Sequence, residues 1–223
     1  MFFPSPLHHV MLRIHAHQLG LFWWCGEACR LVVMEGRETR ETSSTIRGRR
    51  IHEWLATRPL TLSERRLWHK LEPYRGDEGF GRYVEDLDVM LLGNPDDLRV
   101  KGRRVWIEEY KTLDRDSLGF WMMFRRPCAE YQTQTYIYIL TPVLGELGYQ
   151  LSRRGYIWLF DESGRVMKVL PTRFIEEYYL IQLERIVKML RGEEEMIPPH
   201  RFKCRQCEFR EVCRIWVSEN SEK

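Results

Sequence analysis

Ile107-Glu108-Glu109-Tyr110-Lys111-Thr112 is the stretch that decides the fold. The run from Arg104 to Thr112 predicts a strand, rich in β-branched and aromatic residues. Residues two apart on a strand face the same side, so Glu109 and Lys111 project together. Glu109 is an oxygen ligand for a hard divalent cation. Lys111 beside it can hold or help deprotonate an attacking water and offset charge on a phosphate. Taken alone, E-x-K is also what a cross-strand charge pair on a surface strand looks like, so its neighbours must speak.

Upstream, Gly79 to Leu92 predicts a buried strand, with a bend at Glu85-Asp86. Asp88 is a carboxylate among apolar residues there, and such a group needs a partner or a metal. Asp86, two residues away, is the rival. Further upstream, Gly48-Arg49-Arg50-Ile51-His52 sets a histidine one helical turn after a glycine, on a helix predicted from Ile46 to Ala56. His52 offers a ring nitrogen to the same metal. Imidazole added to two carboxylates favours manganese-type ions without excluding magnesium. Downstream, Gln132 and Tyr136 stand at i and i+4 on a helix predicted from Pro127 to Leu140, and so share a face. That face suits a phosphate or base contact.

Together, G-x-x-x-H, a carboxylate in an apolar strand, E-x-K and Q-x-x-x-Y resemble the RecB-like nuclease family of the PD-(D/E)xK class, over about residues 46–140. The resemblance implies an α/β core with a mixed central sheet flanked by helices. It implies an active site of His52, Asp88, Glu109 and Lys111, with the Tyr110 carbonyl as a further metal ligand, and DNA contacts by Gln132 and Tyr136. The family's first acidic motif usually has Pro or Gly near its Asp, whereas Glu85-Asp86-Leu87 precedes Asp88, which keeps Asp86 open.

Cys204-Arg205-Gln206-Cys207 and Cys213 form C-x2-C-x5-C, a pattern that grips one metal or cluster through a tight turn. A fourth ligand is needed, with Cys25 and Cys29 as candidates and Cys128 as a weaker one. Zinc modules usually bring two C-x2-C pairs or a histidine pair; here the fourth cysteine lies about 180 residues upstream. That arrangement resembles the iron–sulfur nucleases, AddB-type enzymes and the CRISPR-associated Cas-four family, over about residues 20–215. In that family the first cysteine follows an aromatic, which favours Trp23-Trp24-Cys25 over Ala28-Cys29. The resemblance implies an iron–sulfur cluster on Cys25, Cys204, Cys207 and Cys213, with four iron atoms favoured and a two-iron cluster also served by four thiolates. It further implies 5′ to 3′ exonuclease action on single-stranded DNA, spacer processing in CRISPR adaptation, and integrase proteins as partners. The expected units are an N-terminal helical segment (1–45), the nuclease core (46–195) and a C-terminal iron–sulfur segment (196–223), the two ends forming a cluster-binding cap.

Composition is consistent with this reading and excludes others. With 223 residues and 43% hydrophobic content the chain can bury a core. Net charge is only +3, but 28 arginines against seven lysines sit in short clusters such as Arg47-Gly48-Arg49-Arg50 and Arg153-Arg154. Arginine forks onto phosphate oxygens; a solvated, thermophile-like surface reads the same way. No signal peptide is apparent in Met1–Val10, and no run reaches a membrane span, so a cytoplasmic, reducing setting is expected. There is no G-x-x-x-x-G-K-[ST] phosphate loop, which argues against an ATP-driven motor. A rival reading is an iron–sulfur or zinc nucleic-acid-binding adaptor with an inactive core. A radical or electron-transfer enzyme is a third, without the expected C-x3-C-x2-C.

Overall fold

The computed structural model describes residues 11–39, 43–197, 199, 201–205 and 207–213 of the chain. The reading of Met1–Val10, and parts of the expected segments 1–45 and 196–223, lie outside the described residues. The described strands form two mixed sheets. The first holds β1 (Leu12–His15), β2 (Arg75–Gly76), β3 (Gly79–Val84) and β4 (Val89–Gly93) in the order β1-β4-β3-β2. The second holds β5 (Asp97–Lys101), β6 (Arg104–Thr112), β8 (Arg154–Phe160) and β9 (Val166–Arg173) in that order, with the short β7 (Gln150–Leu151) also on β6. β6 and β8 run parallel, and parallel neighbours need a crossover. Helices α5 (Leu118–Phe124) and α6 (Arg126–Glu146) supply it.

α6 is the central helix and touches both sheets. It runs past the predicted end at Leu140 despite Pro142. A proline there cannot donate to the carbonyl four residues back. That carbonyl, on Tyr138, accepts instead from Arg82 Nη1 at 2.8 Å. The same guanidinium lies 3.7 Å over the Tyr138 ring, where cation–π attraction adds to the bond.

Around this centre lie α1 (Ala16–Trp24), α2 (Gly26–Glu35), α3 (Ser43–Ala56), α4 (Leu62–Leu71), α7 (Glu176–Arg191) and α8 (Arg201–Arg205). α4 begins on a reciprocal cap: Glu64 N donates to Thr61 Oγ1 at 3.2 Å and Thr61 N to Glu64 Oε2 at 2.8 Å. α1 packs closely on α6, since a Cβ at Gly20 would lie 2.7 Å from the Cys128 carbonyl oxygen.

One local expectation changes: the N-terminal segment expected to be helical contains β1, which pairs in parallel with β4. Thr172 is buried in β9, and α7 starts at Glu176. Asp97–Lys101, after Gly93-Asn94-Pro95-Asp96, is β5. Gly93 permits a close approach: a Cβ there would meet the Tyr136 ring at 2.6 Å and Ala16 Cβ at 3.1 Å. Gly93→Ala is therefore expected to lower stability by about 1–3 kcal/mol, the usual cost of overpacking, read as a lower urea midpoint at unchanged slope.

Candidate metal centre and a cysteine-lined cleft

The functional side chains meet where β4 gives way to β5. Asp96 precedes β5, which pairs with β6 so that Asp97 lies opposite Glu108. That register carries Asp96 to Glu109 and Tyr110: Tyr110 N donates to Asp96 Oδ2 at 2.7 Å. His52 on α3 reaches the other oxygen, with Nδ1 3.1 Å from Asp96 Oδ1. Glu109 and Lys111 project together, as their spacing predicts; Lys111 Nζ donates to Glu109 Oε1 at 2.5 Å and to Gln132 Oε1 at 3.1 Å. Gln132 Nε2 in turn donates to Tyr136 Oη at 2.7 Å. One chain of contacts thus joins Tyr136, Gln132, Lys111 and Glu109, and a second joins Tyr110 N, Asp96 and His52.

The electrostatics are those of carboxylates needing a cation. Glu109 is 1% exposed. Burial, then the charge of Asp96, push its carboxyl up to about 8. Its Oε2 is buried with no hydrogen-bond partner, and an orphaned buried acceptor of that kind is costly. Burial lowers the His52 imidazole, but Asp96 outweighs that and holds it above its ordinary value. Burial likewise lowers Lys111, and Glu109 and Asp96 outweigh it. Two acidic oxygens and an imidazole fit a divalent cation. Among the described residues, no three such ligands already stand gathered around one ion; Lys111 occupies Glu109 Oε1 instead.

The expectation for Asp88 is corrected. Asp88 is not inside an apolar strand. It ends a 3-10 turn in the left-handed region, φ 49°, before β4 begins, and accepts from Tyr83 Oη at 2.9 Å. The whole of β4 separates it from Asp96, roughly 17 Å at 3.3 Å per residue. Asp86 is exposed on the same turn. The missed residue carried a signal: in Gly93-Asn94-Pro95-Asp96 the Pro and Gly stand beside Asp96. Tyr136 is corrected too. At 5% exposure it cannot stack on a base and stands behind Lys111 through Gln132.

Behind the centre, on the other face of β5 and β6, lies a buried ion network. Arg58 Nε donates to Asp97 Oδ2 at 2.6 Å and Nη1 to Glu64 Oε2 at 3.2 Å. Arg99 Nε donates to Glu108 Oε2 at 2.9 Å, and Tyr110 Oη lies 2.8 Å from Asp97 and 3.0 Å from Glu108. Asp97 and Glu108 adjoin Asp96 and Glu109 in sequence, so the network fixes the strands that present both acids. Removing one member of a buried ion set strands its partners. Arg58→Met is expected to lose about 3 kcal/mol, with Arg58→Lys losing less, as read by urea unfolding.

The cysteines form a second place. Cys25, Cys204, Cys207 and Cys213 line one small cleft with Trp24 and Lys203. Cys25 stands extended at the break between α1 and α2. Cys207 N closes a turn onto the Cys204 carbonyl at 3.2 Å. Lys203 Nζ donates to the Trp24 carbonyl at 3.0 Å and the Trp23 carbonyl at 3.3 Å, tying the tail to the C-terminal end of α1. Burial, then neighbours that include Cys207 and Cys213, raise the Cys25 thiol to about 11. Cys29 points elsewhere, its Sγ 3.2 Å from the Gln18 carbonyl. Cys128 contacts the Phe124 carbonyl at 3.8 Å. Four thiols on one cleft fit a soft metal or cluster, although among the described residues they are not drawn together as a ligand set.

The family model of the PD-(D/E)XK nuclease superfamily matches residues 5–214. The chain belongs to that superfamily. Solved structures agree on the fold. "SSO0001" aligns with TM-score 0.54 at 15% identity, covering 93% of this chain and 90% of that one. A "Putative exonuclease" from Eubacterium rectale aligns with TM-score 0.51 at 12% identity, covering 96% and 94%. A search of curated proteins found no match. As in the superfamily's name, Pro95-Asp96 and Glu109-Tyr110-Lys111 supply the P-D and the E-x-K of this chain.

Proposed function

We propose that this PD-(D/E)XK protein is a metal-dependent DNA exonuclease that prefers single strands and works 5′ to 3′, as its resemblance to the Cas-four family implies. The observation that supports metal-dependent chemistry most is the buried, unpartnered Oε2 of Glu109 beside Asp96 and His52. Asp96, Glu109, His52 and the Tyr110 carbonyl would hold a manganese or magnesium ion. Bound there, such an ion supplies Lewis acidity and an acidified water. Lys111 Nζ holds a proton near the reacting phosphate and offsets its charge. Gln132 keeps that ammonium in place, and Tyr136 keeps Gln132 in place. The test is end-labelled single-stranded DNA incubated with the protein and manganese, magnesium or a chelator. Cutting only with metal supports the reading, and the ladder gives the polarity. No cutting by folded protein favours the nucleic-acid-binding adaptor.

We further propose that Cys25, Cys204, Cys207 and Cys213 hold an iron–sulfur cluster that joins the two ends of the chain. Their shared cleft supports this. Iron and acid-labile sulfide analysis of anaerobically purified protein tests it; zinc with no sulfide sinks it. A role in CRISPR adaptation, with integrase partners in the cytoplasm, follows from the same resemblance. It is tested by co-purification and by spacer acquisition in a deletion strain.

A further inference from the structure

The face of the second sheet turned away from Glu109 and Lys111 carries arginines that the site does not use. Asp97, Glu108 and Tyr110 meet on that face, which fixes its membership by alternation. Arg99 pairs with Trp106, and Arg154 with Arg173. Trp106 and Arg154 stand two residues before the paired Glu108 and Tyr156. Arg99–Trp106 and Arg154–Arg173 are therefore two cross-strand pairs on one face, a row interrupted where the β6 pairing shifts by two residues between Leu151 and Tyr156.

α3 reaches across the other half of this face. Trp54 lies 3.5 Å from where a Cβ at Gly164 would sit, and Arg47 pairs with Glu162 at 2.9 Å, both in the β8–β9 turn. The half with the row remains accessible: Arg154, Pro171 and Arg173 are exposed, and Trp106 and Tyr156 are half-buried. Arg99 is held by Glu108. Arg154 and Arg173 are different. They are directly opposite on antiparallel strands, where like charges repel, and among the described residues neither guanidinium meets a carboxylate. An anionic ligand bridging the two guanidinium groups would relieve that repulsion.

We propose that Arg154 and Arg173, with the Trp106 and Tyr156 rings beside them, bind single-stranded nucleic acid away from the metal centre. The guanidinium forks take phosphates and the rings take bases. This rests on the nuclease reading above. Trp106 is roughly 10 Å along β6 from Glu109 at 3.3 Å per residue and faces the other way. The row therefore holds a stretch of strand beyond the nucleotide being cut.

The test is fluorescence anisotropy of labelled single-stranded DNA with EDTA present, across a salt series. Arg154→Glu/Arg173→Glu is expected to weaken binding by about tenfold or more at low salt, and to flatten the slope of log K against log salt by about 1.4, from 0.7 for each lost phosphate contact. Arg154→Lys/Arg173→Lys retains most of the affinity. Arg165→Glu/Lys168→Glu, with the same charge change at the β8–β9 turn and the start of β9, stays within about twofold. Circular-dichroism melts confirm that each variant folds. Equal weakening by both reversals would show diffuse charge and no site, and unchanged binding in Arg154→Glu/Arg173→Glu would overturn the assignment outright. Because binding is read without metal, a protein that binds through the row but never cuts sinks the nuclease reading and leaves the row standing.

Discussion

Glu109→Ala and Lys111→Ala each lower metal-dependent DNA cleavage by about 10³-fold or more. Asp96→Asn does the same, while Asp88→Asn stays within about twofold. The contrast between the two aspartates follows from their contacts. Asp96 accepts from Tyr110 N and meets His52, beside Glu109 and its orphaned oxygen. Asp88 is occupied by Tyr83 at the far end of β4. Glu109→Gln is the gentler variant, because it keeps an acceptor for Lys111 while removing the charge. Metal binding has its own readout. At a hundredfold excess of manganese over its dissociation constant, a protein that binds it only when folded gains about 2.7 kcal/mol, or roughly 5–10 °C in Tm for a chain of this size. Wild type shows that rise; Asp96→Asn and Glu109→Gln lose most of it. Activity lost in Asp88→Asn and kept in Asp96→Asn would reverse the assignment.

On the proposed iron–sulfur cluster, Cys207→Ser is expected to remove the brown colour and to lower Tm by about 5–20 °C, whereas Cys29→Ser keeps the colour. The magnitude treats the cluster as a cross-link between distant parts of the chain, worth about 2–5 kcal/mol as for a native disulfide, converted at 2–4 °C per kcal/mol. The contrast follows from position. Cys207 lines the cleft with Cys25, Cys204 and Cys213, while Cys29 is fully buried against the Gln18 carbonyl. Metal-centre and cluster effects are separable, because Cys207 and Glu109 sit in different places. Glu109→Ala should stay brown. Loss of colour in Cys29→Ser but not in Cys25→Ser would put the fourth ligand on the wrong residue.

Sequence alone established what is local. The two-residue period of β6 put Glu109 and Lys111 on one side, and the i, i+4 spacing of α6 put Gln132 and Tyr136 on one face; both pairs meet as that geometry requires. Chain order also led to the PD-(D/E)XK family. Asp96 needed more. It comes beside Glu109 and Tyr110 only because β5, a strand missing from the sequence reading, pairs with β6 with Asp97 opposite Glu108, a hairpin register set by the turn at Gly102. Asp88 has apolar neighbours in sequence, which suggest burial, but the chain turns there in a left-handed conformation before β4 begins. The spacing of Gln132 and Tyr136 was legible but the burial of Tyr136 was not, since its ring is covered by Gly93 at the end of β4, a close approach made by tertiary packing. Cys25 and Cys29 differ by one helical turn in sequence. The break after Trp24 leaves Cys25 extended beside a tail about 180 residues away and folds Cys29 into the core. Local spacing carried the chemistry; tertiary packing decided which of two similar residues stands where it can act.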